Sequence, residues 1–318
     1  MKLYTYVEAD QHRVASEAED GRLVDLLAAS NGDSILFGSM LALISGGERA
    51  LDIARELTQK APENALRDLR DVALAAPLPQ PPKIRGFSVF ERHGRQAMEG
   101  IARKLSAAAP DPEAAFRKQM GALTFPPGWA ALPGYYYMDA TTVAGSGARV
   151  HWPDYSQWID YELELAAVIG IGGKDIRRED AQNHIFGYTV LNDLSARDAQ
   201  LQSMATGLGP GKGKDFDDSN LMGPCIVTAD EIPDPYDITV QVRVNGDLWS
   251  TSDGAEAKFR FDECIAHVSQ SQTLALGELF STGTFPDCSS VEIGRVVSRG
   301  DRIEFIVPGI GVLETSIV

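Results

Sequence analysis

The sequence predicts a strand-rich α+β fold in which a small N-terminal domain precedes a larger one. The chain has 318 residues, 44% of them hydrophobic, which is enough to bury a large core and a smaller one. The segment APLPQPP (76–82) contains four prolines in seven residues, and this composition predicts an irregular linker. After Pro133, short runs rich in Val, Ile, Tyr and Thr alternate with Gly and Pro turns, as is typical of strands.

The N-terminal domain, residues 1–75, is predicted to combine short strands with one helix. KLYTYV and HRVASEAEDGRLVDL are typical of short strands, the second containing a DG turn, and GERALDIARELTQK places Leu51, Ala54 and Leu57 on one helix face. Residues 83–318 are predicted to form the larger domain. It begins with helices in FSVFERHGRQAMEGIARKLSAAA and PDPEAAFRKQM, the latter with Pro112 in its first turn.

The remainder of the larger domain is predicted to be strands with one helix at about 260–271. The strand segments are ELELAAVIG, HIFGYTVLND, GPCIVTAD, DITVQVRVNGDLW and RIEFIVPGIGVLETSIV. In YELELAAVIG (161–170), Glu162 and Glu164 share one strand face with Ala166 and Val168, while the leucines face the other side. Paired glutamates suit a solvated edge, or they bind a cation, because like charges at a half-buried site repel.

The charge balance and the cysteine count limit the classes of partner and compartment. A net charge of −16 and a pI of about 4.7 disfavour nucleic acid and anionic membranes. Three cysteines far apart in the sequence predict a protein of the reducing cytoplasm without disulfides. The sequence is not expected to contain a membrane span or a leader, because it has no apolar stretch of the required length.

Several catalytic motifs are excluded by their spacing. GLGPGKGKD lacks the glycine pair and the Ser or Thr of a P-loop, and DFDDSN is too short for an EF-hand loop. The five histidines form no zinc pattern, and no G-x-S-x-G segment is present.

A third carboxylate follows the two glutamates at the end of a later strand. Asp193 ends the apolar part of FGYTVLNDLSARDAQ (186–200), and three carboxylates without His or Cys suit Mg²⁺, Mn²⁺ or Ca²⁺. Arg197 and Gln200 on the same stretch either hold a substrate carboxylate and carbonyl or form a surface pair.

Four segments in this order, YELELAAVIG, FGYTVLNDLSARDAQ, GKGKDFDDSNLMGPCIVTADEIPDP and LFSTGTFP, resemble the fumarylacetoacetate hydrolase family. The likeness covers about residues 84–318, and the N-terminal domain is similar to the small domain of longer members. The resemblance implies a mixed β-sandwich or β-roll catalytic domain and a homodimer. It also implies the following site residues: Glu162, Glu164 and Asp193 as metal ligands; His93 activating water, Glu292 orienting His93, and Lys214 neutralising a substrate oxygen; and Tyr136, Arg197, Gln200 and Thr284 contacting substrate.

One position departs from the family pattern. Longer members carry an aspartate as a fourth carboxylate ligand seven residues before the histidine, where this chain has Gly86. Smaller members do without that ligand, so the resemblance still implies a metal site.

The resemblance implies a hydrolase that cleaves a C–C bond of a small anionic oxo acid, an acylpyruvate or β-diketo acid. A divalent ion would polarise the carbonyl, with His93 as the general base for water. Two alternatives stay open: a decarboxylase, isomerase or lyase that uses the same metal chemistry without hydrolytic water, and a catalytically lapsed member that only binds its ligand.

Overall fold

The computed structural model describes residues 1–318 and is rich in strands. The strands are β1 (Lys2–Glu8), β2 (Gln11–Glu17), β3 (Leu23–Asp25), β4 (Leu66–Arg67), β5 (Ala73–Leu74), β6 (Ile84–Phe87), β7 (Tyr135–Met138), β8 (Val143–Ala144), β9 (Ala148–Val150), β10 (Ile159–Asp160), β11 (Leu163–Ile169), β12 (Ile185–Asp193), β13 (Ser195–Ala196), β14 (Asn220–Thr228), β15 (Thr239–Val244), β16 (Asp247–Asp253), β17 (Leu279–Ser281), β18 (Arg302–Val307) and β19 (Gly311–Ile317).

The α-helices lie mainly in the first third of the chain. They are α1 (Leu26–Ala29), α2 (Ser34–Phe37), α3 (Met40–Ser45), α4 (Gly47–Lys60), α5 (Glu91–Ser106), α6 (Pro112–Ala122), α7 (Arg197–Met204) and α8 (Phe261–Ser269). The predicted helices correspond to α4, α5, α6 and α8. The sequence analysis missed the short helices α1 to α3, since four to six residues are too few to show a helical period. It also missed α7, because only one helix was predicted after Pro133.

The strands form a twelve-stranded sheet, a five-stranded sheet and a two-stranded pair. The order in the large sheet is β4-β3-β2-β1-β14-β12-β11-β17-β6-β7, with β5 beside β1 and β8 beside β14. Most pairs are antiparallel, but β17 pairs in parallel with β6 and β14 with β8. The fold is therefore a mixed α+β, strand-rich architecture, as predicted.

The two faces of β11 pack into two different hydrophobic cores. Leu163 and Leu165 belong to the core that also contains residues of the five-stranded sheet. Ala166 and Val168 belong to a second core, shared with helices α2 to α4. The alternation in YELELAAVIG therefore predicted the correct faces, and both of them are covered.

The five-stranded sheet, in the order β16-β15-β18-β19-β9, packs against the first of these cores. Its strands alternate buried with more exposed residues, as in β15, where Val240, Val242 and Val244 are buried. This is the pattern of a sheet with one face on a core and one in water.

The N-terminal strands continue the large sheet directly. Leu3 of β1 pairs with Ile226 of β14, and the Thr5 hydroxyl donates to the Pro77 carbonyl at 2.7 Å. Residues 76–82 contain no regular secondary structure. The division into domains 1–75 and 83–318 stays a prediction, with the sheet running through both. None of the helices is both long and apolar enough to cross a membrane.

Candidate metal centre

Three carboxylates meet where β11 begins and β12 ends. In the antiparallel pair Leu163 lies opposite Asn192, and the Asp193 amide donates to the Glu162 carbonyl at 3.1 Å. The start of one strand therefore lies beside the end of the other. Glu162, Glu164 and Asp193 are all buried and offer one ligand oxygen each, with these atoms within 4.8 Å of one another. We call this group the three-carboxylate centre.

Two buried cations contact the three-carboxylate centre. The Lys214 ammonium donates to Glu162 Oε2 at 2.5 Å and also to Asp193 Oδ2. The Arg197 guanidinium lies 2.7 Å from Glu162 Oε1. The side chains of Arg197 and Lys214 are 3% and 6% exposed, so water screens these contacts little.

The carboxylates differ in how readily they ionise. Burial opposes ionisation of Glu162, but Arg197 and Lys214 outweigh it and hold the pKa of Glu162 below its ordinary value. Burial, with Asp193 and Glu162 close by, raises the pKa of Glu164 well above its ordinary value. A cation between the oxygens would relieve this repulsion, which gives a physical reason for two glutamates on one strand face.

The residues present fit a hard divalent cation. The three-carboxylate centre offers oxygen ligands only, the type that Mg²⁺, Mn²⁺ and Ca²⁺ prefer. Asp193 Oδ1 is buried and has no hydrogen-bond partner in the protein. A buried carboxylate oxygen of this kind calls for a partner, and a bound cation would supply one.

Tyr136 lies between this centre and Gly86. The two residues are directly opposite on β7 and β6, and the Tyr136 hydroxyl donates to Asp193 Oδ2. A Cβ atom on Gly86 would lie 2.7 Å from Tyr136 Cε1 and 3.0 Å from Met138 Sδ. Burial and the adjacent Asp193 raise the pKa of Tyr136, which keeps the phenol a neutral donor. The ring therefore occupies the space that a side chain at position 86 would enter.

His93 on α5 lies between two carboxylates. Its Nε2 is 3.7 Å from Glu162 Oε1, and its Nδ1 is 3.1 Å from Glu292 Oε2, a contact that is not aligned as a hydrogen bond. Burial disfavours the charged imidazole, but Glu292 and Glu162 outweigh it and raise the pKa of His93. The Ser289 amide and hydroxyl donate to Glu292 Oε2 at 2.9 Å and 2.7 Å, which fixes the carboxylate. This arrangement suits proton transfer.

Gln200 and Thr284, the two other predicted substrate residues, differ in how they connect to the site. Gln200 is on α7, where its Oε1 accepts from Arg197 Nη1 at 3.1 Å. Thr284 is buried just after β17, and the next residue, Phe285, donates its amide to the Leu163 carbonyl at 3.0 Å. Thr284 thus stands alongside the start of β11, but its side chain makes no hydrogen bond to the other predicted site residues.

Two residues that the sequence analysis missed support the site. Asp160 is fully buried and accepts from Arg197 Nε at 2.9 Å and Nη2 at 2.7 Å. The same carboxylate accepts from the Ser290 amide at 2.8 Å, so it joins Arg197 to the segment that carries Glu292. The Ser281 hydroxyl donates to Glu164 Oε2. Period-two spacing before Glu162 could have indicated Asp160, whereas nothing local indicates Ser281.

A cavity of about 410 Å³ adjoins the group at Tyr136 and Lys214. The residues that line it include Tyr136, Lys214, Asp139, Leu208 and Asp215. A volume of this size is typical of sites for small metabolites.

Fold and site together define an α+β protein with a buried cluster of oxygen ligands that fits a divalent cation. The Fumarylacetoacetate (FAA) hydrolase C-terminal family matches residues 112–318. An oxaloacetate tautomerase of Xenopus laevis, mitochondrial, is 30% identical over 322 residues, covering 100% of this chain and 90% of that protein. The oxaloacetate tautomerase YisK of Bacillus subtilis is 31% identical over 292 residues, or 88% of this chain and 86% of YisK. The chain belongs to the fumarylacetoacetate hydrolase family, as its motifs predicted.

Solved structures show the same fold. A fumarylacetoacetate hydrolase of Exiguobacterium antarcticum aligns with a TM-score of 0.72 at 26% identity, covering 100% of this chain and 99% of that one. The maleylpyruvate hydrolase of Sphingobium sp. SYK-6, in complex with manganese(II) and pyruvate, aligns with a TM-score of 0.71 at 23% identity and the same coverage. This second likeness supports the fold alone.

Proposed function

We propose that the protein is a divalent-metal-dependent enzyme that interconverts the keto and enol forms of a 2-oxo dicarboxylic acid such as oxaloacetate. The observation that carries the proposal is the position of His93, whose Nε2 lies 3.7 Å from Glu162 Oε1 while its Nδ1 faces Glu292. A base supported by a carboxylate thus lies at the edge of the three-carboxylate centre. The activity named for the Xenopus and Bacillus relatives supports this choice of reaction.

The three-carboxylate centre would hold Mg²⁺ or Mn²⁺, with Ca²⁺ as a further candidate. Such an ion, when bound, polarises the carbonyl of the 2-oxo acid and so acidifies the neighbouring C–H bond. The acidic protein repels an anionic substrate over most of its surface, since its net charge is −16. Lys214 and Arg197, which already pair with carboxylates of the site, would together with the bound ion supply the positive charge that an anionic substrate needs.

His93 carries the proton in this proposal. Its Nε2 takes the proton from the carbon beside the carbonyl, and the C–H electron pair becomes the new C=C bond while the carbonyl oxygen gains charge. The imidazolium then returns the proton to that oxygen. Glu292 stabilises the imidazolium, and the Lys214 ammonium stabilises the charge on the oxygen. No co-reactant is needed, because the proton that leaves the carbon is the one that His93 delivers to the oxygen.

Tyr136, Arg197, Gln200 and Thr284 would orient the substrate. Tyr136 and Lys214 also line the 410 Å³ cavity, which supports this cavity as the route of entry. Arg197 is held by Asp160, and its Nη1 contacts Gln200, so the two side chains present a fixed pair of polar groups. Assembly as a homodimer stays a prediction.

Hydrolysis of an acylpyruvate or β-diketo acid is the second candidate. The same His93–Glu292 pair would remove a proton from water, whose oxygen attacks the carbonyl carbon. The C–C bond then breaks, its electron pair leaves with the departing carbon group as an enolate stabilised by Lys214, and the His93 imidazolium returns the proton to that carbon. The likeness to the Exiguobacterium antarcticum hydrolase supports this candidate.

Proton NMR in D₂O separates these reactions. With Mg²⁺ or Mn²⁺, the protein should accelerate deuterium exchange at C3 of oxaloacetate, and His93→Ala should lose most of that acceleration. The same protein is then given a panel of acylpyruvates. Cleavage products without C3 exchange would favour the hydrolase, CO₂ release would favour a decarboxylase, and binding without turnover would favour a lapsed enzyme.

A further inference from the structure

A second cavity lies next to Glu292 and outside the three-carboxylate centre. Its volume is about 390 Å³, within the usual range of small-molecule sites. One wall is formed by α5 from Gln96 to Lys104 and the other by the segment 291–296, with Trp158 also lining the cavity. Of the residues assigned to the metal centre, only Glu292 also lines this cavity. We call it the basic cavity.

The floor of the basic cavity is apolar and closely packed. Trp158 and Val291 are buried and pack with Ala97 in one small hydrophobic cluster. A Cβ atom on Gly100 would lie 2.0 Å from the Val291 carbonyl oxygen, so the absence of a side chain lets α5 touch the opposite segment. Val296 adds a half-exposed apolar side chain nearer the mouth.

The rim carries three cations, of which only Arg103 is paired. Arg103 contacts Glu99 at 2.9 Å, whereas Lys104 and Arg295 form no ion pair with a carboxylate. Both lie over aromatic rings instead, with 5.5 Å from Lys104 Nζ to the Trp158 ring centre and 4.8 Å from Arg295 Cζ to the Trp249 ring centre.

Glu292 does not neutralise these rim cations. Its carboxylate accepts hydrogen bonds from the Ser289 and Asp287 amides and lies against His93. Two unpaired cations therefore remain beside an apolar floor, in a chain with a net charge of −16.

We propose that the basic cavity binds a small carboxylate with an apolar body, of the aromatic or branched aliphatic kind. The carboxylate contacts Lys104 and Arg295 at the rim, since an anion gains most from cations without other partners. The apolar body packs on Trp158 and Val291. The site is separate from the three-carboxylate centre, and binding requires no metal.

The test uses ¹⁹F NMR titration of the full-length, chelator-treated protein with 4-fluorobenzoate. The dissociation constant should lie below about 10 mM, a weak affinity that suits one charged contact and one ring. The neutral 4-fluorobenzyl alcohol should bind at least about tenfold more weakly, because hydrogen bonds to charged groups are the stronger ones. Unlabelled benzoate should displace the probe, and acetate, which lacks the apolar body, should not.

Variants locate the bound probe. Lys104→Ala and Arg295→Ala should each weaken binding by about tenfold. Val296→Glu should also weaken binding, because it places a negative charge at the cavity, and its exposed position carries little risk to folding. The matched control is Lys118→Ala, which removes an exposed cation without an ion pair from neighbouring α6.

Three results would overturn the proposal. The first is that the ¹⁹F signal of 4-fluorobenzoate does not change up to about 10 mM. The second is that Lys118→Ala weakens binding of the probe as much as Lys104→Ala and Arg295→Ala do, which would mean unspecific attraction to positive charge. The third is binding that Lys214→Ala abolishes while the Lys104, Arg295 and Val296 variants leave it unchanged. That result would put the probe at the three-carboxylate centre.

Discussion

The three-carboxylate centre and the basic cavity, which Glu292 connects through its contact with His93, differ in how their charges are paired. At the centre, buried Lys214 and Arg197 are both paired with Glu162, in contacts of 2.5 Å and 2.7 Å. At the cavity, the cations are exposed, and Lys104 has no carboxylate partner. The first group rests on central strands of the large sheet, and the second on a helix and a loop.

The difference indicates which charges can be changed singly. A buried charge without its partner loses hydration and gains nothing in return, so its loss affects folding as well as chemistry. An exposed charge stays hydrated with or without a partner, so its removal leaves stability almost unchanged. Matched substitutions in the two regions therefore test the comparison directly.

The largest expected effect is loss of activity on removal of the metal. Excess chelator should abolish turnover, and Mg²⁺ or Mn²⁺ should restore it, because the three-carboxylate centre binds the ion that the reaction needs. Glu164→Ala should be inactive and not rescued by added metal. Glu99→Ala, which removes an exposed glutamate at the basic cavity, should keep its activity. Full turnover in excess chelator would contradict the metal-dependent reading of the site.

The next effect concerns the proton carrier. His93→Ala should lower kcat by about 10²–10⁴-fold, the usual contribution of general acid–base catalysis, while metal affinity measured by titration calorimetry stays the same. His12→Ala, at an exposed position on β2, is the control. A loss smaller than about tenfold would reduce His93 to a structural role.

The third prediction compares a buried lysine with an exposed one. Lys214→Met leaves Glu162 and Asp193 without their shared cation and should lower the free energy of unfolding of the metal-free protein by about 3–5 kcal/mol. Added Mg²⁺ should recover part of that loss, since it binds the folded state. Lys104→Met should stay within about 0.5 kcal/mol of the parent in the same urea titration. Equal destabilisation by both changes would break the comparison between the two regions.

The smallest effect is expected at Gly86. Gly86→Asp should destabilise the protein by about 1–3 kcal/mol, because the new side chain meets the Tyr136 ring. Thermal unfolding of Gly86→Asp, Tyr136→Ala and the double variant checks this contact. The double variant should be more stable than the sum of the single changes predicts. Simple additivity would mean that position 86 does not face Tyr136.

Local pattern was enough to predict most of the elements. The period of two in YELELAAVIG placed Leu163 and Leu165 on one face and Ala166 and Val168 on the other, and the two faces do enter different cores. Such periods arise from covalent geometry, so they are visible within ten residues. Helices α1 to α3 escaped detection because they have no room for a period. The full extent of the large sheet could not be predicted, because the pairing of β1 with β14 joins residues more than two hundred positions apart.

The sequence by itself determined the family, the strand-rich class and the residue types of the candidate site, because motifs and side-chain chemistry are local properties. Only the tertiary structure decided the pairings. It placed Lys214 between Glu162 and Asp193, Asp160 behind Arg197, Ser281 on Glu164, and the Tyr136 ring over Gly86. These contacts depend on strand register and on the close approach of distant segments, which no window of the chain contains. The basic cavity is the clearest case, since its cations are ordinary surface residues until α5 packs against 291–296.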